Sequence, residues 1–252
     1  MPHLQTVSRP ACKITAVVIL VVVTVVVAMA SALPAVAQSS EATCSLWGKP
    51  GKLIYQDDFD TDLRQWQVES ADTKNSDISV ANHQLLIDAA KGATVWFKQK
   101  LSGDILIRYT RRVVMEQGRN DRLSDLNQFW MATDPRDQNI FTRKGVFEQY
   151  DDLRLYYAGI GGNTNTTTRF RKYQGNGERS LLTELNERDT LLQANRDYVI
   201  ETTVYQGCTR VLVDGKVFFS YKDKDALRDG YFGFRTTQSR QQVRDFKIYQ
   251  LE

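Results

Sequence analysis

Short runs of apolar residues alternating with polar ones repeat along most of the chain, separated by turn residues. Side chains alternate between the two faces of a strand, so this pattern is typical of strands with one buried face. No stretch shows the period of a long amphipathic helix, and residues 180–189 predict at most a helical turn or a loop insertion. The predicted strands lie in residues 53–59, 62–68, 78–80, 85–88, 94–97, 105–115, 127–132, 153–158, 169–173, 198–205, 210–213, 216–221, 230–235 and 243–249.

Two dipeptides between these runs predict hairpin turns. Asn82-His83 separates one pair of runs, and Asp214-Gly215 separates another. Asp-Gly between apolar runs is a strong signal for a two-residue hairpin. Many short strands with turns at regular spacing predict an all-β fold, an antiparallel β-sandwich. We assign residues 53–252 to one such domain and residues 38–52 to an N-terminal lead-in.

The first 37 residues have the pattern of a secretory signal peptide. Residues 14–32 are almost wholly apolar, Arg9 and Lys13 precede them, and the small residues of Ala35-Val-Ala37 follow. An apolar run of this length also fits an uncleaved membrane anchor. Leu33-Pro34 interrupts a helix just before the cleavage motif, which favours cleavage after residue 37. The sequence therefore predicts a secreted, periplasmic or extracellular protein that has no membrane partner after cleavage.

Two cysteines remain after this cleavage, Cys44 and Cys208. A lone pair in an oxidising compartment predicts a disulfide, and the alternative is two unrelated thiols. The full chain carries a formal net charge of +3. Removing a segment that contains two basic residues and no acidic ones lowers that charge by two. Such a balance argues against nucleic acid as a partner, because bulk phosphate binding needs a large basic excess.

Several motifs resemble the concanavalin A-like lectin/glucanase superfamily, which implies a jelly-roll form of the sandwich. The motifs are Asp57-Asp-Phe with a following Trp66, the Val95-Trp-Phe strand, and the closing segments 230–235 and 246–249. Segments 120–135 and 161–171 resemble, more narrowly, a family of secreted bacterial proteins of unassigned function that accompany pectin-degrading systems. This resemblance covers most of residues 53–252 and implies a fold without supplying catalytic residues.

Strand alternation predicts a polar cleft. Arg154 and Tyr156 share one face of their strand, and Arg169, Arg171 and Tyr173 share one face of the next. A face with several guanidinium groups does not belong in a core, because burying an unpaired charge is too costly. The face is therefore solvent surface with cross-strand ion pairs or the lining of a cleft, and we favour the cleft.

Other strands and turns contribute to the same predicted cleft. Asp125 and Asn127 share a face of one strand, Arg235 lies on a face opposite two Phe residues, and Asn165 lies in the turn before Arg169. The loop Asn120-Asp121-Arg122 borders the cleft or forms a charged turn. Trp130, by contrast, is predicted to pack in the core.

Arg and Tyr together suit recognition of an acidic sugar. The hypothesis for catalysis is β-elimination from a uronic acid polymer by Tyr156, Arg169 and Tyr173. The residues predicted to bind an acidic polysaccharide or oligosaccharide are Asn127, Arg154, Arg171, Arg235, Asp125 and Asn165. A non-catalytic carbohydrate-binding protein and a glycoside hydrolase that uses Asp or Glu remain alternatives.

The sequence predicts no cofactor and no metal site. Zinc-ligand spacing and an Asp-rich calcium loop are both absent from the sequence. After loss of the N-terminal segment, His83 is the remaining histidine, and its position in a turn argues against a Ser-His-Asp or Cys-His mechanism.

Overall fold

A computed structural model describes residues 44–252. The predicted signal peptide, residues 1–37, lies outside the described residues. The strands are, in chain order, β1 (Pro50–Asp57), β2 (Trp66–Ser70), β3 (Asp77–Ala81), β4 (Gln84–Ala89), β5 (Ala93–Phe97), β6 (Leu101–Ser102), β7 (Ile105–Val113), β8 (Leu126–Thr133), β9 (Arg154–Gly161), β10 (Thr167–Gln174), β11 (Arg179–Leu185), β12 (Tyr198–Tyr205), β13 (Cys208–Val213), β14 (Lys216–Lys222), β15 (Asp229–Thr236) and β16 (Ser239–Leu251).

These strands form two antiparallel sheets that pack face to face, which confirms the predicted antiparallel β-sandwich. The front sheet has the order β11-β10-β9-β8-β15-β5-β2, and β6 pairs with β15. The back sheet has the order β14-β13-β12-β7-β16-β4-β3, and β1 pairs with β16. Strands that are distant in sequence lie side by side, as in other jelly rolls and Greek keys.

The main core lies between the two sheets and is rich in aromatic side chains. Trp66, Phe232, Phe234 and Phe246 are all buried, and the ring centroids of Trp66 and Phe246 lie 5.0 Å apart. Trp130 is also buried there, as predicted. Large aromatic rings contribute most of the buried apolar area of such a core, so packing against the back sheet stabilises the front sheet.

A second apolar layer covers part of the outer face of the front sheet. It is formed by the connection between β8 and β9, residues 134–153, which we name the cover segment. Tyr150 of this segment packs on Phe129 and Trp96, with ring centroids 5.3 and 6.1 Å away. Strand β5 is therefore buried on both faces.

The buried carboxyl group of Glu69 in β2 fastens the cover segment to the sheet. Its Oε2 accepts hydrogen bonds from Trp96 Nε1 at 2.9 Å and from Tyr150 Oη at 2.8 Å. Its Oε1 accepts a hydrogen bond from the backbone N–H of Arg143 at 2.8 Å. Burial raises the pKa of Glu69 above its ordinary value, although these donors act in the opposite direction.

The helical content of the described residues is small. It consists of two 3₁₀ turns, Phe147–Tyr150 and Arg188–Thr190, and one left-handed turn, α1 (Gly162–Asn165), in which the last three residues have positive φ. None of the helices among the described residues is long and apolar enough to span a membrane. The prediction of a helical turn or loop insertion for residues 180–189 was wrong for most of that stretch, because β11 occupies it up to Leu185 and pairs with β10.

The turn predictions at Asn82-His83 and Asp214-Gly215 are confirmed. Asn82-His83 connects β3 to β4, and Asp214-Gly215 connects β13 to β14. All four residues have positive φ, as a type I′ hairpin turn requires. Strand β1 begins at Pro50, within the predicted lead-in.

The predicted disulfide is present between Cys44 and Cys208, whose Cα atoms lie 6.0 Å apart. It connects the start of the described chain to β13 across 164 residues of sequence. A cross-link over so long a loop restricts the unfolded chain more than the folded one.

Replacing both cysteines by Ser is expected to lower the free energy of unfolding by roughly 2–4 kcal/mol. Urea denaturation of the oxidised wild type and the double variant measures the difference. Reductant is expected to destabilise the wild type and to leave the double variant unchanged. Two free thiols by intact-mass analysis of the unreduced protein would contradict the disulfide.

One cation lies inside the core. Arg111 on β7 is fully buried and extends from the back sheet to the front sheet. It donates from Nε to Gln241 Oε1 at 2.7 Å, from Nη1 to the carbonyl oxygen of Asn127 at 2.6 Å, and from Nη2 to that of Arg235 at 3.1 Å. Burial lowers its pKa to about 10. Arg111 therefore ties β8 and β15 to the back sheet.

Candidate functional site

A groove of about 580 Å³ lies on the outer face of the front sheet, beside the cover segment. Strands β8, β9 and β10 form its floor, and loops form its two ends. Its lining consists of Arg122, Asp125, Asn127, Phe147, Tyr157, Gly159, Gly162, Asn163, Thr167, Arg169, Arg171, Arg179 and Thr237.

Strand register places the polar groups of the floor in one row across the sheet. Arg169 on β10 lies opposite Gly159 on β9, which lies opposite Asn127 on β8. The row continues to Arg235 on β15 and begins at Glu184 on β11. Paired residues of neighbouring strands project from the same face, so these side chains point outward together.

Gly159 forms the lowest point of this floor. A Cβ atom at this position would lie 2.2 Å from Tyr157 Oη and 2.7 Å from Asn127 Oδ1. Both distances are far below van der Waals contact, so these two polar atoms approach the backbone only because residue 159 has no side chain. The glycine therefore makes room for the Tyr157 hydroxyl and the Asn127 amide oxygen directly over the strand, and these two polar atoms form the bottom of a trough between Arg169 and Asn127.

Asp125 and Asn127 form a fixed pair at one end of the trough. Asn127 Nδ2 donates to Asp125 Oδ2 at 2.5 Å. Asp125 Oδ1 accepts from Thr236 Oγ1 at 2.8 Å and from the N–H of Thr237 at 3.1 Å, and Thr237 Oγ1 donates to Oδ2 at 3.1 Å. With four donors on one carboxylate, Asp125 orients Asn127 and has little remaining capacity for a ligand.

Four arginines supply the positive charge of the lining, and their partners differ. Arg169 Nε is bonded to Glu184, and Arg179 Nε lies 3.4 Å from Asp151 Oδ1. These two guanidinium groups are thus partly neutralised by carboxylates outside the lining.

Arg171 and Arg122 are bonded to neutral groups. Arg171 Nη1 donates to the carbonyl oxygen of Arg179 at 3.1 Å. Arg122 Nη1 donates to the carbonyl oxygen of Gln238 at 3.2 Å, and its Nη2 donates to Thr164 Oγ1 at 3.3 Å. Within residues 44–252, neither arginine has a carboxylate oxygen within 4.0 Å of its guanidinium, so both retain capacity for an anion.

Tyr157 is the tyrosine whose side chain lines the groove. It is 8% exposed. Burial raises the pKa of its hydroxyl above the ordinary value, and Tyr173 and Asp125 raise it further, whereas Arg235 and Arg171 lower it. The hydroxyl is therefore neutral around pH 7 and acts as a hydrogen-bond donor or acceptor.

The turn at the end of β9 is strained. Asn163, Thr164 and Asn165 have φ values of 50°, 59° and 60°, and a β-branched residue such as Thr164 is rarely found in this region. Asn165 holds the turn, since its Nδ2 donates to the carbonyl oxygen of Leu192 at 2.9 Å and its Oδ1 accepts from the N–H of Leu192 at 2.7 Å. Placing Asn165 in the groove was wrong, because both ends of its amide are used to position the turn.

The predicted placement of Arg154 and Tyr156 in the groove was also wrong. Tyr156 points into the core between the sheets, where its Oη donates to Asp223 Oδ2 at 2.5 Å. Arg154 pairs with Asp225 Oδ2 at 2.8 Å, away from the groove lining. Every residue of β9 after Arg154 is buried, so polarity did not reveal which face of this strand points outward.

Arg235 and Tyr173 lie on the predicted face but are not accessible. Arg235 is 1% exposed beneath the cover segment, and its Nη1 donates to the carbonyl oxygen of Gly145 at 2.5 Å. Tyr173 is fully buried in the outer apolar layer, and this burial raises the pKa of its hydroxyl to about 12. The cover segment and its neighbours exclude both residues from the lining, so the predicted groove positions for them were wrong.

The structure thus brings together Asp125, Asn127, Arg169 and Arg171 of the predicted residues. Arg122 also lines the groove, at the end formed by the loop that carries it. Sequence reasoning missed Tyr157 and Gly159, because their strand is apolar on both faces. It also missed Arg179 and Phe147, since the first lies on β11, which was not predicted as a strand, and the second lies on the cover segment.

Comparison with known families gives one match. The family model described as Domain of unknown function (DUF6250) matches residues 87–246. No curated protein matches the chain. The matched region includes every strand of the groove floor.

Solved structures with the same fold include proteins of several kinds. A Bacillus subtilis protein of unknown function with a galectin-like fold aligns with a TM-score of 0.64 and 17% identity, covering 81% of this chain and 98% of that one. The carbohydrate binding module CBM66 from Bacillus subtilis aligns with a TM-score of 0.53 and 11% identity, covering 73% and 95%. The endo-β-1,3-glucanase from Pyrococcus furiosus aligns with a TM-score of 0.57 and 10% identity, covering 80% and 95%. At these identities the similarity establishes the fold.

Proposed function

The chain belongs to the family named Domain of unknown function (DUF6250), and we propose that this member binds an acidic saccharide in the groove on its front sheet. Family membership assigns no activity, so the proposal rests on the chemistry of the groove. The observation that carries it is the pair of guanidinium groups, Arg122 and Arg171, that face the groove without a carboxylate partner among the described residues.

The polar character of the groove supports a saccharide. Its lining combines amide, hydroxyl and guanidinium groups with the aromatic side chains of Phe147 and Tyr157. Sugars offer many hydroxyl groups and apolar ring faces, so they suit such a mixture. Structural neighbours that are a carbohydrate binding module and a glucanase use the same fold, which adds support by analogy.

The charge of the groove supports an acidic ligand. Its lining contains four arginines and, among the described residues, the single carboxylate of Asp125. Clustered cations repel one another unless an anion lies close to them. A carboxylate also matches the planar fork of a guanidinium, which donates two parallel hydrogen bonds to it.

We propose a first ligand and a location for the protein. The resemblance to proteins that accompany pectin breakdown makes polygalacturonate the first ligand to test. We also propose that the protein acts outside the cytoplasm, since the Cys44–Cys208 disulfide suits an oxidising compartment.

Binding measured by calorimetry against polygalacturonate, polymannuronate, glucuronan and the neutral glucan laminarin tests the ligand class. Equal affinity for laminarin and the polyuronates would contradict an acidic ligand.

Arg171→Gln is expected to weaken binding of the preferred polyuronate by about 10–100-fold, because it removes charge-assisted hydrogen bonds to the carboxylate. The matched control is Arg108→Gln, a change of the same kind on the outer face of the back sheet. Calorimetry at fixed salt concentration compares the two variants. Equal losses would mean that Arg171 contributes only to the overall charge, and an unchanged affinity in Arg171→Gln would contradict this position for the anion.

Cleavage of the bound polymer by β-elimination is a second candidate function. It is favoured by the position of the Tyr157 hydroxyl beside Asn127 and in the same groove as Arg171. In this reaction a base takes the proton from C5, and the electron pair of the broken C5–H bond forms the C4–C5 double bond. The C4–O bond then breaks, and the leaving oxygen takes up a proton. Arg171 suits neutralisation of the uronate carboxylate, and neutral Tyr157 suits protonation of the leaving oxygen.

We rank elimination below binding because, among the described residues, the lining offers as bases only Asp125, which already accepts four hydrogen bonds, and Tyr157. Taking the C5 proton with Tyr157 requires its phenolate, and burial raises the pKa of this residue. Incubation with each polyuronate and measurement of the absorbance of unsaturated uronate tests the reaction. An absorbance increase that disappears in Tyr157→Phe supports elimination. Binding without any increase supports a non-catalytic protein.

A further inference from the structure

We infer that the side-chain amide oxygen of Asn127, Oδ1, accepts a hydrogen bond from a sugar hydroxyl, so that the groove selects uronates in which this hydroxyl is free and not esterified. This inference rests on the proposed binding of an acidic saccharide and adds a second requirement to it. The ligand must offer a carboxylate to the arginines and a donor to Asn127.

The orientation of the Asn127 amide follows from its neighbour. Asp125 presents a carboxylate oxygen to the amide at 2.5 Å, and a carboxylate accepts hydrogen bonds. The nitrogen of Asn127 must therefore face Asp125, and the oxygen must face away from it. Asn127 Oδ1 points toward the trough at Gly159, where an added Cβ would lie 2.7 Å from it.

This oxygen lacks a partner in the described part of the chain. Asn127 is 1% exposed, and its Oδ1 accepts no hydrogen bond from any described residue. A buried acceptor without a donor costs free energy comparable to its lost solvation, so such groups are rare and often functional. A ligand donor in the trough would remove this cost.

The missing partner must be a donor and therefore is not the carboxylate of the ligand. An ionised carboxylate accepts hydrogen bonds and donates none. The anion accordingly belongs at the arginines of β10, and the donor belongs at Asn127. In a uronate, both requirements are met by one molecule, because its ring carries hydroxyl groups as well as a carboxylate.

The width of the trough fits one sugar ring. Arg169 on β10 and Asn127 on β8 are both in register with Gly159 on the strand between them. Neighbouring strands are about 4.8 Å apart, so the backbones that carry the two side chains are separated by roughly 9–10 Å. A single sugar ring suits the space between the arginine side and the amide side, above the Tyr157 hydroxyl that lies over Gly159.

The experiment compares each polyuronate with its own O-acetylated form and with poly(acrylic acid), an anion without hydroxyl groups. Calorimetry measures binding to the wild type, to Asn127→Ala and to the control Asn82→Gly. Asn82 lies in the β3–β4 turn of the back sheet, outside the groove lining, and has positive φ, so glycine suits its backbone. Asp125 keeps three other donors in Asn127→Ala, and circular dichroism checks that the variant is folded.

We expect acetylation to weaken binding to the wild type and to Asn82→Gly by roughly tenfold or more, the effect of one unmade buried hydrogen bond. Asn127→Ala is expected to bind the free and acetylated polymers equally. A wild type that binds both forms equally, or that binds poly(acrylic acid) as well as a polyuronate, overturns the inference while leaving anion binding intact. An acetylation penalty that persists in Asn127→Ala also overturns it, since the penalty is then steric. Absence of binding to all the polymers rejects the proposed function itself.

Discussion

Arg111→Ala is expected to lower the free energy of unfolding by about 3–5 kcal/mol, because three buried acceptors lose their donor at once. The acceptors are the side-chain oxygen of Gln241 and the backbone carbonyl oxygens of Asn127 and Arg235. Truncation also removes the guanidinium from its position 5.3 Å from the centroid of the Phe234 ring. Urea denaturation of the wild type and the variant gives the difference.

The control for this change is Arg108→Ala, three residues earlier on the same strand. The Arg108 side chain is 52% exposed and lies on the solvent face of the back sheet. Its loss is expected to change stability by less than about 0.5 kcal/mol. If the two variants are equally stable, the hydrogen bonds of Arg111 do not hold the sheets together.

The core position of Arg111 was not predicted from the sequence. The cleft was predicted on the rule that guanidinium groups stay out of cores. Arg111 breaks that rule because acceptors from three other strands surround it. Those acceptors are 16 to 130 residues away in sequence, so no local pattern reveals them.

Strand alternation predicted the direction of the side chains correctly where one face of a strand is polar. On β10, Arg169 and Arg171 share a face and both reach the groove, while Phe170 between them packs in the core. Alternation failed on β9, because the cover segment buries its outer face as well. The sequence therefore does not distinguish Tyr156 from Tyr157. In the structure, Tyr156 points into the core and bonds to Asp223, whereas Tyr157 points outward and lines the groove.

The cover segment explains why residues on the correct face were still misplaced. Residues 133–152 lie between two predicted strands, and no element was predicted for them from the sequence. In the structure, Tyr150 and Arg143 bond to Glu69 and place the segment across β15 and β5. The same packing that hides Arg235 puts Phe147 at the edge of the groove.

The groove itself depends on a residue that contributes no chemistry. Gly159 lies at the centre of the polar row, opposite Arg169 on one side and Asn127 on the other. Any larger residue would fill the trough from below. A single substitution here can therefore test whether the trough holds the ligand; it keeps every proposed binding residue but displaces the Tyr157 hydroxyl.

Gly159→Val is expected to weaken polyuronate binding by roughly 100-fold or more, because central contacts of a site carry most of its binding free energy. Its Cβ would lie 2.2 Å from Tyr157 Oη, so Tyr157 must move and the branched side chain must occupy the trough. Valine favours strands, and the position faces outward over the groove, so we expect the variant to fold.

The matched control is Gly162→Ala at the edge of the groove, where an added Cβ meets Thr167 Oγ1 at 3.3 Å and the backbone φ is not positive. This control is expected to bind within about threefold of the wild type, because it leaves the trough open. Calorimetry gives the affinities, and circular dichroism with urea denaturation confirms that both variants are folded. Wild-type affinity in a folded Gly159→Val protein would place the ligand somewhere other than the trough, because the side chain and the sugar ring would need the same space.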